Sequence, residues 1–201
     1  MDNEYMPDME GIILAGGKSR RFGSAKCLYH LHDEPLISYG IRTFQDLGIS
    51  VTVITSADQV ENLSDFAAVL ADESRGRGPV QALMQAARHV SGTHFIVLPC
   101  DTPFVSGETL LKLAHGAKED NLDAFLARDS TGRVHPLVGC YSASIDSAAE
   151  DVLSAGSASV WRMVDLLPNV KYLPVADSEL FNINTLEDVE AAEGEIKRSI
   201  A

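Results

Sequence analysis

The sequence predicts an α/β protein of one domain, built on a mostly parallel sheet with helices on both faces. Short apolar runs rich in β-branched residues alternate with longer segments of helical period along nearly the whole chain. Gly16, Asp72 and Pro99 follow three of the first four strands, where the chain must turn into the next helix. The size agrees: 201 residues with 45% apolar and 22% charged side chains match one ordinary soluble domain with a substantial core.

Residues 1–9 lack both a basic and an apolar stretch, and are expected to form a flexible extension rather than a leader. Gly11-Ile12-Ile13-Leu14-Ala15 reads as a buried parallel strand that breaks at Gly16-Gly17. The loop beyond carries Lys18, Arg20, Arg21 and Lys26, with no Asp or Glu between Gly11 and His32, although the chain has a formal charge of −13. Paired glycines let backbone N–H groups converge as an anion nest, so this cation block predicts a polyphosphate ligand. The spacing fits neither G-x-x-x-x-G-K-[ST] nor G-x-G-x-x-G.

Residues 36–47 read as a helix with Pro35 at its first turn and Gly48 as terminator, followed by a strand at 51–54. A weaker helical stretch near 59–66 leads to a third strand at 68–71, ending at Asp72. Arg75 to Pro79 is a basic turn; the helix from Pro79 to Val90 has Val80, Leu83, Met84 and Ala87 on its inner face. The strand at 93–98 runs into Pro99-Cys100-Asp101-Thr102-Pro103. In the second half, a helix is expected at 107–116, strands at 123–128 and 134–141 around the turn signal 129–133, and helices at 145–153 and 159–166. The 134–141 strand is the candidate antiparallel member. A strand at 170–175 and a helix at 186–198 close the chain. Right-handed crossovers then bring the loops after the strands to one edge, where ligands of such sheets bind.

The acidic balance argues against a nucleic-acid partner, and no apolar run is long enough for a membrane span. Cys27, Cys100 and Cys140 form no C-x-x-C pair, which predicts neither disulfides nor a zinc site and agrees with a reducing, cytoplasmic setting.

Four loops should meet at the ligand edge: 16–26, 72–79, 99–103 and Phe181-Asn182-Ile183-Asn184-Thr185. Asp101 has two readings. It either shapes a tight bend as an Asx-turn residue, or it holds a Mg²⁺ that shares the charge of a triphosphate, since Mg²⁺ takes one or two carboxylates with phosphate oxygens and water. Asn182 and Asn184 either face an acceptor molecule or belong to the cap of the last helix, with Asp188 completing a box on Thr185. His135 before Pro136 is an acid/base candidate or a satisfied structural histidine. Trp161 and Arg162 read as packing or surface.

The stretch Leu14-Ala15-Gly16-Gly17-Lys18-Ser19-Arg20-Arg21-Phe22-Gly23-Ser24-Ala25-Lys26 resembles the L-A-G-G-x-S-x-R-M-G-x-D-K signature of Rossmann-like nucleotidyltransferases, most closely the molybdenum cofactor guanylyltransferases. Phe22 stands for Met and Ala25 for the acid. Pro99 to Pro103, Gly78-Pro79, His135-Pro136-Leu137 and Phe181 to Thr185 are similar to that family's later motifs, in the same order. The resemblance implies a three-layer α/β/α nucleotidyltransferase fold and transfer of GMP from GTP to molybdopterin-type molybdenum cofactor with Mg²⁺. It implies nucleotide contacts at Leu14, Ala15, Gly16, Gly17, Lys26, Asp72, Gly78, Pro79 and Asp101. It also implies phosphate chemistry at Lys26, Arg20 and Arg21, metal at Asp101, and acceptor contacts at His135, Asn182 and Asn184. Thr55 or Ser56 stands where the family has a guanine-contacting Asn. Transient contacts with cofactor-synthesis or molybdoenzyme-maturation proteins would fit such a role. Alternatives are a related transferase using CTP or a sugar phosphate, a non-catalytic nucleotide-binding module, and a pterin carrier.

Overall fold

The computed structural model describes residues 8–16, 26–72 and 78–200, with side chains described as far as residue 194. Strand β1 (Glu10–Leu14) lies at the middle of a seven-stranded sheet, and its side chains beyond Glu10 are buried because both of its neighbours are parallel strands covered by helices. Those neighbours are β4 (Ser50–Thr55) and β6 (His94–Pro99), with Ile12 opposite Thr52 on one side and Val97 on the other. β5 (Ala68–Ala71) pairs parallel outside β4. β8 (Val134–Ser142) runs antiparallel between β6 and β7 (Ala124–Arg128), as the sequence suggested for that segment, and β9 (Val170–Pro174) pairs parallel with β7. The order is β5-β4-β1-β6-β8-β7-β9, in which β8 alone is reversed.

The two faces of β1 feed two cores. Ile13, with Val53, Ile96 and Leu98, packs against α1 (Leu36–Asp46) and α4 (Gly107–Glu119) through Ile37, Ile41, Phe44, Leu110 and Leu113. Ile12 and Leu14, with Phe95 and Val97, meet α3 (Pro79–His89), α5 (Asp146–Ser154) and α6 (Val160–Val164) through Val80, Leu83, Val152, Val160 and Met163. This is the α/β/α sandwich expected from the alternation of elements. Gly48, at φ +69°, follows the last turn of α1, a conformation in which only glycine is unstrained, and it ends the helix where the sequence placed its stop.

Three details differ from the sequence reading. A small antiparallel ribbon, β2 (His30–Leu31) and β3 (Glu34–Pro35), precedes α1, and the helical stretch near 59–66 contracts to a 3₁₀ turn and the four-residue α2 (Val60–Leu63). Met9 is 1% exposed and belongs to the α1/α4 core, so packed chain begins before residue 10 rather than after a free extension. The last helix, α7 (Leu186–Ile200), buries Val189 and Ala192 against Leu31, Leu36 and Ile183, which anchors the segment just before it. Trp161 on α6 is exposed, in line with a surface role. Among the described residues no helix is long and apolar enough to cross a membrane.

Candidate active site

The parallel strands deliver their ends to one edge. Backbone pairing continues past β1 and its neighbours: Ala15 N–H donates to Ile54 O at 2.9 Å and Cys100 N–H to Leu14 O at 3.1 Å, so Ala15 and Asp101 emerge side by side. Asp72 is held in the same row by its N–H to Thr55 O. Along the edge the order is Asp72, Thr55, Ala15-Gly16, Asp101, which at the usual strand spacing is a strip of roughly 14 Å.

At the β6 end the bend is closed without the Asp101 carboxylate. Thr102 supplies both bonds, its N–H and its hydroxyl donating to Pro99 O at 3.3 and 3.0 Å. The carboxylate instead pairs with Lys26, whose Nζ lies 2.7 Å from Asp101 Oδ2. The same Nζ donates to Asn184 Oδ1 at 2.9 Å. An Asx-turn reading of Asp101 therefore does not describe its side chain. The backbone of this bend also accepts, through Asp101 O, the N–H of Ile183 at 2.9 Å, so the late segment is pinned to the β6 loop.

The cap reading of the late segment holds. Asp188 Oδ2 accepts from the N–H groups of Asn184 and Thr185, and Thr185 Oγ1 accepts from Asp188 N–H, a reciprocal cap on α7. These bonds lower the Asp188 carboxyl below its ordinary range, the Asn184 N–H being the largest cause. The cap fixes Asn184 so that its side chain reaches Lys26. Asn182 Oδ1 is sealed from solvent with no hydrogen bond.

His135 sits on the same edge but further out, at the start of β8, where three residues bulge between the pairs Leu126 with Gly139 and Ala127 with His135. Its Nε2 is 3.1 Å from Asp129 Oδ2, while Asp129 Oδ1 accepts from Thr131 N–H, Thr131 Oγ1 and Arg133 N–H. Bonds from Thr131 first and His135 second pull the Asp129 carboxyl down to about 2. The histidine thus braces the β7–β8 turn through one ring nitrogen.

Thr55 is fully buried and donates its hydroxyl to Ala15 O at 3.3 Å, so it straps β4 to β1. Gly78 takes φ +77°, a turn into α3 that a side-chain-bearing residue would strain, and Pro79 starts the helix. Burial and the adjacent Asp101 carboxylate raise the Cys100 thiol well above its ordinary value, which keeps it protonated and unsuited to nucleophilic attack. Gly17, Arg20 and Arg21 lie outside the described residues.

The structure thus gathers Lys26, Asp101 and Asn184 at one point, with Gly16 just past the end of the adjacent β1, and places Thr55 and Asp72 further along the strip and Gly78 at the start of α3. Among the described residues no three His, Cys, Asp or Glu side chains cluster to cage a metal. A Mg²⁺ bound here would have Asp101 as its carboxylate and complete its shell with phosphate oxygens and water, a donor set that suits this ion. The contact that sequence reasoning did not supply is Lys26 with Asn184, 158 positions apart. Only the fold carries that pairing.

A family model described as the MobA-like NTP transferase domain matches residues 11–170. A protein of Aquifex aeolicus named "Probable molybdenum cofactor guanylyltransferase" is 30% identical over 184 residues, spanning 89% of this chain and 87% of that protein. One of the same name from Bacillus cytotoxicus is 27% identical over 192 residues, 91% of this chain and 95% of that protein. The crystal structure of molybdopterin-guanine dinucleotide biosynthesis protein A from Archaeoglobus fulgidus matches with a TM-score of 0.81 at 25% identity, covering 94% of this chain and 99% of that one.

Proposed function

The chain belongs to the MobA-like NTP transferase domain family, and from this we propose that it transfers GMP from GTP to the terminal phosphate of a molybdopterin-type molybdenum cofactor. An acceptor phosphate oxygen forms a bond to the α-phosphorus as the bond from that phosphorus to the α–β bridging oxygen breaks, and pyrophosphate leaves with its electron pair. The attacking oxygen is already anionic, so positioning and charge neutralisation carry the catalysis and no strong base is required.

The observation that carries the reading is the Lys26, Asp101 and Asn184 cluster at the carboxyl edge beside Gly16. Lys26 is oriented by two oxygen partners, so its ammonium is held in place for the phosphates and for the charge that grows on the leaving pyrophosphate. Asn184, fixed by the α7 cap, connects that lysine to the segment expected to receive the acceptor. Bound Mg²⁺ would neutralise phosphate charge and polarise the reacting phosphoryl group.

Pyrophosphate release by the purified protein, with each of four nucleoside triphosphates and Mg²⁺, with and without the metal-loaded pterin, tests this reading. Release that requires GTP and the pterin together is the expected result. Turnover with CTP or with a sugar phosphate would reassign base or acceptor within the same chemistry. GTP binding without turnover under any of these conditions would make the protein a binding module.

A further inference from the structure

The base-reading position of this site is filled in an unexpected way. Thr55 is fully buried and its hydroxyl is spent on Ala15 O. Ser56 bonds to Asp58, and this contact is the main cause of the lowered Asp58 carboxyl. Thr55 therefore cannot meet a base, and the Ser56 hydroxyl has its proton committed to Asp58.

Gln81 is differently placed. It is the third residue of α3, which begins at Pro79 at the same carboxyl edge. It is 9% exposed, yet its amide makes no hydrogen bond to any described residue and neither amide atom is sealed from solvent, whereas Oε1 of Gln85 is. Gln81 is therefore a mostly buried residue whose amide has no described protein partner and is not fully closed to solvent. Its neighbours Val80, Ala82, Leu83 and Met84 are all buried apolar residues. With no protein partner and access to solvent, this amide is left to pair with water or with a ligand.

Its location follows from the helix. Gln85, one turn further along the same face, donates Nε2 to Ala71 O at 2.8 Å, and Ala71 ends β5 just before Asp72. Helical side chains lean toward the N-terminus, which for α3 is the ligand edge. Gln81 thus stands near the end of β5 on the Asp72 side of the strip, away from the Lys26 and Asp101 end. The α5–α6 connection closes over this helix start, for a Cβ on Gly78 would lie 3.1 Å from Ala158 Cβ.

We infer that Gln81 contacts the nucleobase, its amide pairing with one donor and one acceptor on the Watson–Crick edge. With guanine, Nε2–H donates to O6 and Oε1 accepts from N1–H. The inference rests on the nucleotidyl-transfer reading above, because Lys26 and Asp101 at the opposite end of the strip set the direction in which the nucleotide lies.

Dissociation constants of GTP, ATP and base-free ribose 5-triphosphate, measured with Mg²⁺ on the full chain, test it. Gln81→Leu should weaken GTP about tenfold, the order expected for loss of an uncharged hydrogen-bonded contact, and leave ribose 5-triphosphate unchanged. Gln81→Glu removes the donor that adenine N1 requires but still accepts from guanine N1–H and N2–H, so the preference for GTP over ATP should rise. The glutamate variant also carries the test if the leucine variant does not fold. Unchanged GTP affinity in Gln81→Leu overturns the inference, as does equal weakening of GTP and ribose 5-triphosphate. If the parent protein binds none of the three, the nucleotidyl-transfer reading falls first and this inference with it.

Discussion

Lys26 and Asp101 form an ion pair of 2.7 Å across 75 positions of sequence, with side chains only 13% and 23% exposed. The pair joins the end of the glycine loop to the end of β6, the two strand-end segments that flank the proposed phosphate position. In the absence of ligand each group is the other's counter-charge. A polyphosphate gives the ammonium a second anionic partner.

Lys26→Ala should therefore cripple transfer and spare the fold. A charge-assisted phosphate hydrogen bond is worth about 1.5–3 kcal/mol, or roughly 10–150-fold in rate, and more where it strengthens as pyrophosphate departs. The pair is more shielded than a surface salt bridge, so its loss should cost more stability than the roughly 1 kcal/mol of an exposed pair, but water can reach Asp101 and the fold should survive. Single-turnover rates at saturating GTP, with the melting temperature alongside, measure both effects. A rate equal to the parent's would remove Lys26 from the reaction.

Asp101→Asn separates charge from shape. Thr102 closes the β6 bend and the Asp101 carbonyl, which the substitution keeps, holds Ile183 N–H at 2.9 Å. The variant should fold with a similar melting temperature, while pyrophosphate release falls by orders of magnitude and its Mg²⁺ titration shifts to higher concentration. Release within threefold of the parent, with the same Mg²⁺ dependence, would show that Asp101 holds no metal.

Much of this arrangement was legible in the sequence. The order of strands and helices is visible because parallel strands covered on both faces must be apolar throughout, as Ile12, Ile13 and Leu14 are, and because amphipathic helices announce their inner face. The edge residues Gly16, Lys26, Asp72 and Asp101 were legible from punctuation after strands. The β2–β3 ribbon was not, since its two-residue strands are too short to show any period and its turn uses His32 at φ 55° rather than glycine. Nor was the partnership of Lys26 with Asn184, which depends on where α7 docks. Thr55 looked available from sequence. Its inward hydroxyl is a product of the β1–β4 register, which sequence pattern does not specify at single-residue level.

GTP should protect the protein against heat better than ATP, CTP or UTP. A ligand at a hundred times its dissociation constant stabilises the native state by about 2.7 kcal/mol, so tenfold differences in affinity are readable as shifts in melting temperature. Equal shifts with all four nucleotides would leave the fold and the phosphate site standing and remove the guanine preference.

The last prediction concerns pH and the turn that bears His135. Asp129 accepts from Thr131 twice, from Arg133 and from His135, and these bonds lower its carboxyl from 3.8 to about 2. A carboxyl whose folded value lies below its unfolded value binds its proton more readily in the unfolded chain. Its contribution to stability is then fully present above about pH 4 and is lost as the pH falls through the window down to about 2. Asp129→Asn keeps the turn's shape and removes that titration. Urea unfolding at several values between pH 2 and 6 should give the variant a shallower loss of stability across the window than the parent. Asp177 is also lowered, by bonds from Ser130, so some slope should remain in the variant. Above pH 5 the variant should be uniformly less stable, because the carboxylate's bonds to the turn are weakened at every such pH. Parallel stability curves for the two proteins between pH 2 and 4 would show that the Asp129 carboxylate does not fasten this turn.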